Sequence, residues 1–500
     1  MKSTALLLAT ISICIVLDSD RSSATEAPAP GAKQSQIEQI PQKFRNYATR
    51  RGLKGMTQRA LAARQIVRSL RGVDPQILAA SPFLRETAVA GRRNIPVLMA
   101  LFANTDPPPY EVDRLQRELF DGPWPTGTMT SYYEEISNGK FSVGGKVYPW
   151  KKISQEDVFY AGSEPNCDGR CDSAKVGNLI QELVAANDGE IDFSQYDNDG
   201  ADGQPNSGDD DGYVDFIAIV HPEKGSECGD NENIWSHQYA VSGWLDGNSL
   251  VTNDIGIGGS PILIDDYVIQ PALDCNDKMI AIGVFAHEFG HAFGLPDLYD
   301  TDPSDGLTDG AGPWCLMATG GWGGDNTHPE TPTHMSAWAK EYLGWTVSTN
   351  LTENVKNLQV KSSADGNGVY RIDISDDEYY ILDFRNQRGF DTSLMGEGLL
   401  IWKIKNSVIV PGMANNSVNA KNENRGVVII QADGSNELDN ADDGIRGGPG
   451  DLYPGFSNKS VFDASTTPSS LAGIAICNIH RQQHQLFVDV YLDGSACPVP

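Results

Sequence analysis

Two histidines four residues apart, His287 and His291, stand with Glu288 in a run that is otherwise almost wholly apolar, MIAIGVFAHEFGHAFG from Met279 to Gly294. Ile280, Val284, Phe285, Phe289 and Phe293 recur at helical intervals, so the run predicts a buried helix with Asn276 or Asp277 as its N-cap. Ionisable side chains buried in such a helix are costly unless a metal or polar partners satisfy them. This requirement constrains the fold more than any other feature, because the helix must pack where further ligands converge. Residues four apart project from one helix face about one turn apart, a separation that lets two imidazoles share one tetrahedral zinc. Glu288 points off that axis and is placed to take a proton from a zinc-bound water.

The sequence after the helix supports this reading. Gly294 lets the chain leave the helix, Pro296 stiffens the turn, and Asp297 arrives six residues after His291. Asp297 is therefore expected as the third zinc ligand, with a brace for the turn as its other role. Further on, Pro313-Trp-Cys-Leu-Met317 sets a methionine in a turn of small residues, where packing is its ordinary use.

The remainder of the 500 residues divides by texture. Met1-Lys2, the apolar stretch Ala5 to Leu17 and Ser22-Ser23-Ala24 predict a signal peptide over 1–24 and an exported protein with no membrane anchor. Residues 25–93 carry thirteen Lys or Arg against four acids, with Leu61, Ile66, Val67 and Leu70 at helical spacing, and predict a basic, mostly helical pro-segment. From Asn94 onward 61 acidic residues face 23 basic ones, which argues against nucleic acid and for attraction between leader and body. Arg92-Arg93 sits at the boundary as a candidate maturation site. The apolar run Ile95 to Phe102 reads as a buried strand opening an α/β catalytic domain over 94–346. Predicted strands at 368–374, 379–384, 398–404, 427–431 and 486–492 make 347–500 a separate β-sandwich-like domain. Of the eight cysteines, Cys14 leaves with the signal; Cys167 with Cys171, Cys477 with Cys497 and Cys228 with Cys275 are the expected pairs, leaving Cys315 free.

An acidic loop runs from Asp192 to Asp215. Alternating aspartates with intervening glycines suit calcium, with Asp197, Asp199, Asp211 and Asp215 as candidate ligands; a solvated acidic turn is the plainer alternative. Asp439, Asp442, Asp443 and Asp451 suggest a second, weaker calcium site.

HEFGHAFGLPD, the WCLM turn and MSAWAKEYLGW (Met335 to Trp345) resemble the immune inhibitor A (M6) family of metallopeptidases. So do Tyr132-Tyr133, Ser137 to Lys140, Ile234 to His237, Tyr379 to Asp383 and Gly398 to Trp402, so that the resemblance covers roughly 94–491. It implies an α+β, metzincin-like zinc peptidase domain, with His287 and His291 as ligands, Glu288 as general base and Met317 as the floor beneath the zinc. The extended metzincin pattern has histidine where this chain has Asp297, which leaves a distal acid such as Glu330 as an alternative ligand. His334 and Tyr342 are candidates for steadying an oxyanion. The implied function is a secreted zinc endopeptidase acting on extracellular proteins, held latent by its own pro-segment. Two other readings stand beside it: a calcium-dependent adhesive or carbohydrate-binding protein with a degenerate peptidase domain, and a zinc hydrolase acting on something other than peptides.

Overall fold

The computed structural model describes strand residues 23–24 and residues 89–498, apart from 165–166, 172, 199–202, 209, 230–231, 303, 367, 414–415 and 441–444. The helical pro-segment expected over 25–93 lies outside the described residues up to 88, as does all of the signal peptide except Ser23 and Ala24.

The part of the chain before residue 347 is built on one mixed sheet. Strands β1 (Ser23–Ala24), β2 (Gly91–Leu101), β3 (Phe141–Val147), β4 (Lys151–Lys152), β5 (Ile217–Lys224), β6 (His237–Ala240) and β9 (Asp266–Leu273) take the order β1-β6-β9-β5-β2-β3, with β4 also on β2. A separate hairpin is formed by β7 (Leu250–Ile255) and β8 (Pro261–Ile264). Neighbours from β9 through β3 run parallel, whereas β6 is antiparallel to β9. Parallel strands covered on both faces read as continuous apolar runs, and β2 is such a strand. Its Val97 and Met99 enter one core with helix α1 (Met129–Ile136) and helix α3 (Ile282–Ala292), while Leu98 and Ala100 face α2 (Val176–Asn187) on the other side.

The body starts earlier than Ile95. Val89 is buried, its N–H donates to Leu343 O, and its carbonyl accepts from Trp345 Nε1 at 2.7 Å. Arg92 and Arg93 then pair with Ser142 and Val143 on β3, and Arg93 reaches Asp215 at 3.7 Å. The dibasic pair thus lies inside a strand, because a β-ladder needs backbone groups and not apolar side chains.

After helix α4 (Ala337–Tyr342), the C-terminal part forms two further sheets. One has the order β10-β12-β13-β14-β15: Thr349–Asn350, Tyr370–Asp373, Glu378–Arg385, Gly398–Lys405 and Val427–Ile429. The other is β11-β17-β16: Val355–Val360, Gln485–Tyr491 and Ala475–Gln482. Tyr380, Leu382, Leu399 and Ile401 join Ile476, Leu486 and Val488 in a core between these sheets. The opposite faces of β13 and β14, through Tyr379, Ile381, Leu400, Trp402 and Ile404, belong to the same core as α1 and α3. The five-stranded sheet is therefore shared with the region that carries α1 and α3, which departs from the expectation of a separate domain. Its strands are apolar on both faces, and that is the physical reason.

Cys167–Cys171, Cys228–Cys275 and Cys477–Cys497 are disulfides. Cys315 is a buried free thiol that accepts the Ser336 N–H. Among the described residues no helix is long and apolar enough to cross a membrane.

The shared core makes a direct prediction. A chain truncated after residue 346 removes Tyr379, Ile381, Leu400 and Trp402 from the core around α3. It is expected to lack a cooperative thermal transition and near-ultraviolet circular dichroism; a well-folded 89–346 fragment contradicts the shared core.

Candidate metal centre

Helix α3 carries the centre. Its N-cap is Ala281, with no side-chain cap, so the expected role of Asn276 or Asp277 is not met; those residues lie in a turn where Lys278 N and Asn276 N donate to Asp274 Oδ1. The exposed amide that such a cap serves is met by tertiary contact instead, since Gly283 N donates to Pro329 O at 3.0 Å. Glycines let the neighbouring turn approach. A side chain at Gly283 would collide with Gly321 O, and one at Gly290 would meet Met317 Sδ at 2.4 Å. Met317 thus packs against the helix between the two histidine turns and is fully buried. Tyr133 Oη donates to Ala286 O at 2.7 Å and braces the same helix from α1.

His287, Glu288, His291 and Asp297 are all buried. His287 Nδ1 bonds Leu316 O and His291 Nδ1 bonds Leu295 O, each at 2.8 Å. A carbonyl only accepts, so each Nδ1 carries the proton and each Nε2 of a neutral ring presents a lone pair. The two Nε2 atoms are 3.1 Å apart, and Asp297 Oδ1 is 3.1 Å from each. Three electron-pair donors so close together repel unless a cation lies among them. A tetrahedral zinc with ligands at about 2.0–2.1 Å has edges of about 3.3–3.4 Å, and the observed triangle is close to one face of such a polyhedron. The donor set thus fits a metal ion of this kind. Burial raises the Asp297 carboxyl, but positive charge at the His291 and His287 side outweighs it and holds the group well below the usual carboxylate range, so the carboxylate calls for a cation at this spot.

Asp297 is itself clamped at two points. Its N–H donates to Asn416 Oδ1 at 2.7 Å and its Oδ2 accepts from Asn416 Nδ2 at 2.6 Å. Asn416 has φ 53°, and its carbonyl accepts from Thr301 Oγ1, while Asn419 Nδ2 donates to Leu298 O. The sequence offers no short-range signal for this pair, which is separated by 119 positions. Tyr299, two residues after Asp297, stacks over His287 with ring centroids 6.5 Å apart.

Other candidates are placed elsewhere. Glu330 is not grouped with the histidines; it lines a cavity of about 600 Å³ with Asp325 and His328. His334 has both ring nitrogens engaged, by Glu135 Oε1 and by Lys340 Nζ, each at 2.8 Å, so it is not free to meet an oxyanion. Tyr342 stacks on Trp338. In the acidic loop, Gly212 N donates to Asp197 Oδ2, Asn198 N to Asp215 Oδ1 and Tyr213 N to Asp211 Oδ1. Asp199 lies outside the described residues, and Asp197, Asp211 and Asp215 do not converge as a three-carboxylate group.

A helix bearing two imidazoles and a returning carboxylate, set under a parallel sheet with an antiparallel edge, defines the metal-dependent hydrolase class. Residues 119–351 match the model of the immune inhibitor A peptidase M6 catalytic domain. His287, His291 and Asp297 fall inside the matched residues, so this part of the chain is similar to the catalytic domain of the M6 metallopeptidases. It is 31% identical over 250 residues to the pre-pro-metalloprotease PrtV of Vibrio cholerae serotype O1 strain M66-2, covering 47% of this chain and 26% of that protein. It is also 31% identical over 231 residues to immune inhibitor A of Bacillus thuringiensis subsp. alesti, covering 45% of this chain and 32% of that protein. The chain therefore spans between about a quarter and a third of the length of these curated relatives.

The Asn416 clamp yields a measurable consequence. Outer partners of metal ligands typically contribute about 10- to 100-fold in affinity, so Asn416→Ala is expected to weaken metal binding by about that factor in chelator competition. Unchanged affinity would show that the clamp braces only the loop.

Proposed function

We propose that this chain is a secreted zinc endopeptidase that hydrolyses peptide bonds of extracellular proteins. The observation that carries the reading is the triangle of His287 Nε2, His291 Nε2 and Asp297 Oδ1, each pair 3.1 Å apart, with Glu288 buried on the same helix. Zinc bound there supplies a Lewis acid that activates water and polarises the scissile carbonyl. Glu288 takes the proton from the attacking water and returns it to the leaving amine. Leu316 O and Leu295 O hold the imidazole tautomers through the cycle, and Asn416 holds the carboxylate. Once β1 leaves with the signal peptide, the antiparallel strand β6 is an edge at which an extended peptide pairs.

We also infer export as a precursor. The apolar N-terminus and the basic leader support it, and a relative of this domain bears the name pre-pro-metalloprotease. Ser23 and Ala24, the last residues of the expected signal peptide, pair with Gln238 and His237 on β6, close to α3, so this edge accepts an extended strand. The leader, in this reading, covers the cleft through attraction to the acidic body.

Glu288→Gln is expected to retain zinc and to lower casein turnover by about 10²- to 10⁴-fold, the range of general acid–base catalysis. Chelation should abolish turnover in the unaltered protein, and zinc should restore it. Full activity in the Glu288→Gln protein would remove the proposed base. For latency, protein beginning at Val89 is expected to exceed the intact precursor in specific activity; equal activity rules the cover out.

A further inference from the structure

A second group of ligating side chains lies outside the centre already described. One carboxylate oxygen from each of Asp433, Glu437 and Asp451 falls within 4.8 Å of the others. The backbone brings them together from three segments. Ala432 N donates to Asp451 O and Asp433 N to Gly450 O, so the segments bearing Asp433 and Asp451 run side by side. Glu437 opens a tight turn whose Leu438 N donates to Gln431 Oε1 and whose Leu438 O accepts from Asp309 N. Gly450 is required for the approach, since a Cβ there would lie 2.0 Å from Asp433 Oδ2.

A crowd of carboxylates is not a site by itself, but here two oxygens are stranded. Asp451 is 0% exposed; its Oδ2 accepts from Trp314 Nε1 at 2.8 Å and Gly448 N at 3.0 Å, yet its Oδ1 is buried with no partner. Glu437 Oε2 is buried without a partner as well. Among the described residues none of the three carboxylates makes an ion pair. Lys459 is nearby, but it donates to the carbonyls of Asp433 and Thr467. An unpaired buried carboxylate oxygen costs several times what an ordinary hydrogen bond returns, and three converging acids add mutual repulsion.

We propose that Asp433, Glu437 and Asp451 bind a hard divalent cation, calcium by the chemistry of the donors. All donors are oxygen, which selects a hard cation. Calcium takes six to eight oxygen ligands in flexible geometry and suits carboxylates presented by irregular turns, whereas magnesium demands a near-ideal octahedron. Of the four residues that the sequence pointed to, Asp451 takes part among those described. Asp439 pairs with Arg425, and 442–443 lie outside the described residues.

The position gives the cation a purpose. Trp314, held by Asp451, opens the turn whose Leu316 carbonyl fixes His287 and whose Met317 packs against Gly290. The cation thereby braces the floor of the proposed zinc centre, and this coupling alone rests on the peptidase reading.

The test uses the intact protein and two variants, with calcium equivalents counted by equilibrium dialysis and terbium luminescence excited through tryptophan. Asp433→Asn combined with Glu437→Gln changes only partly exposed side chains; Asp451→Asn keeps an acceptor for Trp314 and serves should the first fail to fold. The unaltered protein is expected to bind one calcium equivalent more than either variant, to show sensitised terbium emission that the variants largely lose, and to gain thermal stability from calcium where they gain less. The same equivalents and emission in a folded variant overturn the proposal. Cation binding is read without turnover, so its failure is distinct from failure of the peptidase reading. Zinc release that calcium slows in the unaltered protein but not in the variants supports the coupling; release indifferent to calcium in both overturns that part alone.

Discussion

Two hydrogen bonds, His287 Nδ1 to Leu316 O and His291 Nδ1 to Leu295 O, set the chemistry of this molecule. Each puts the ring proton on the outer nitrogen and leaves a lone pair facing inward. With the Asp297 carboxylate between the rings, the interior holds an electron-rich pocket that only a cation relieves. Buried as these side chains are, hydration does little to offset that crowding. The acceptors that define it are backbone carbonyls on segments after the helix, so the helix alone cannot make the centre.

Much of the fold serves to hold those carbonyls in place. The Met317 turn approaches because Gly283 and Gly290 present no side chain, and Arg385 on β13 donates to Trp314 O while its guanidinium pairs with Asp391. Lys140 donates to Trp345 O and Trp345 to Val89 O, tying the start of β2 to the segment after α4. Asn416 and Asn419 carry the C-terminal part into direct contact with the loop bearing Asp297. The five-stranded sheet, apolar on both faces, is a wall of the catalytic core as much as a layer of its own. That arrangement explains why motifs as far apart as Tyr132-Tyr133 and Gly398 to Trp402 accompany the histidine pair: each supplies packing or a hydrogen bond around the same helix.

What the sequence made legible follows from locality. The His287/His291 spacing, the return of Asp297 six residues on, the close Cys167–Cys171 pair and the strongly apolar strands β13 and β14 all rest on neighbours in the chain, while Cys228–Cys275, 47 positions apart, is the pair left over once the nearer ones are made. What it concealed rests on distant partners. The first helical amides of α3 are met by Pro329 O and not by a cap residue, and Asn416 acts from 119 positions away. Strand β11, VKNLQV, is too polar on its exposed face to announce itself, and β16 is broken by an irregularity between Cys477 and His480. Arg92 and Arg93 read as a maturation site at a boundary because a dibasic pair suits cleavage, whereas their backbone joins a ladder.

The most direct test of the central claim is X-ray absorption at the zinc edge of the purified protein. The account predicts one zinc per chain with two imidazoles and oxygen donors at about 2.0–2.1 Å, and loss of an imidazole signal in His291→Ala. A protein that binds no zinc, or binds it through sulfur or without imidazole, contradicts it.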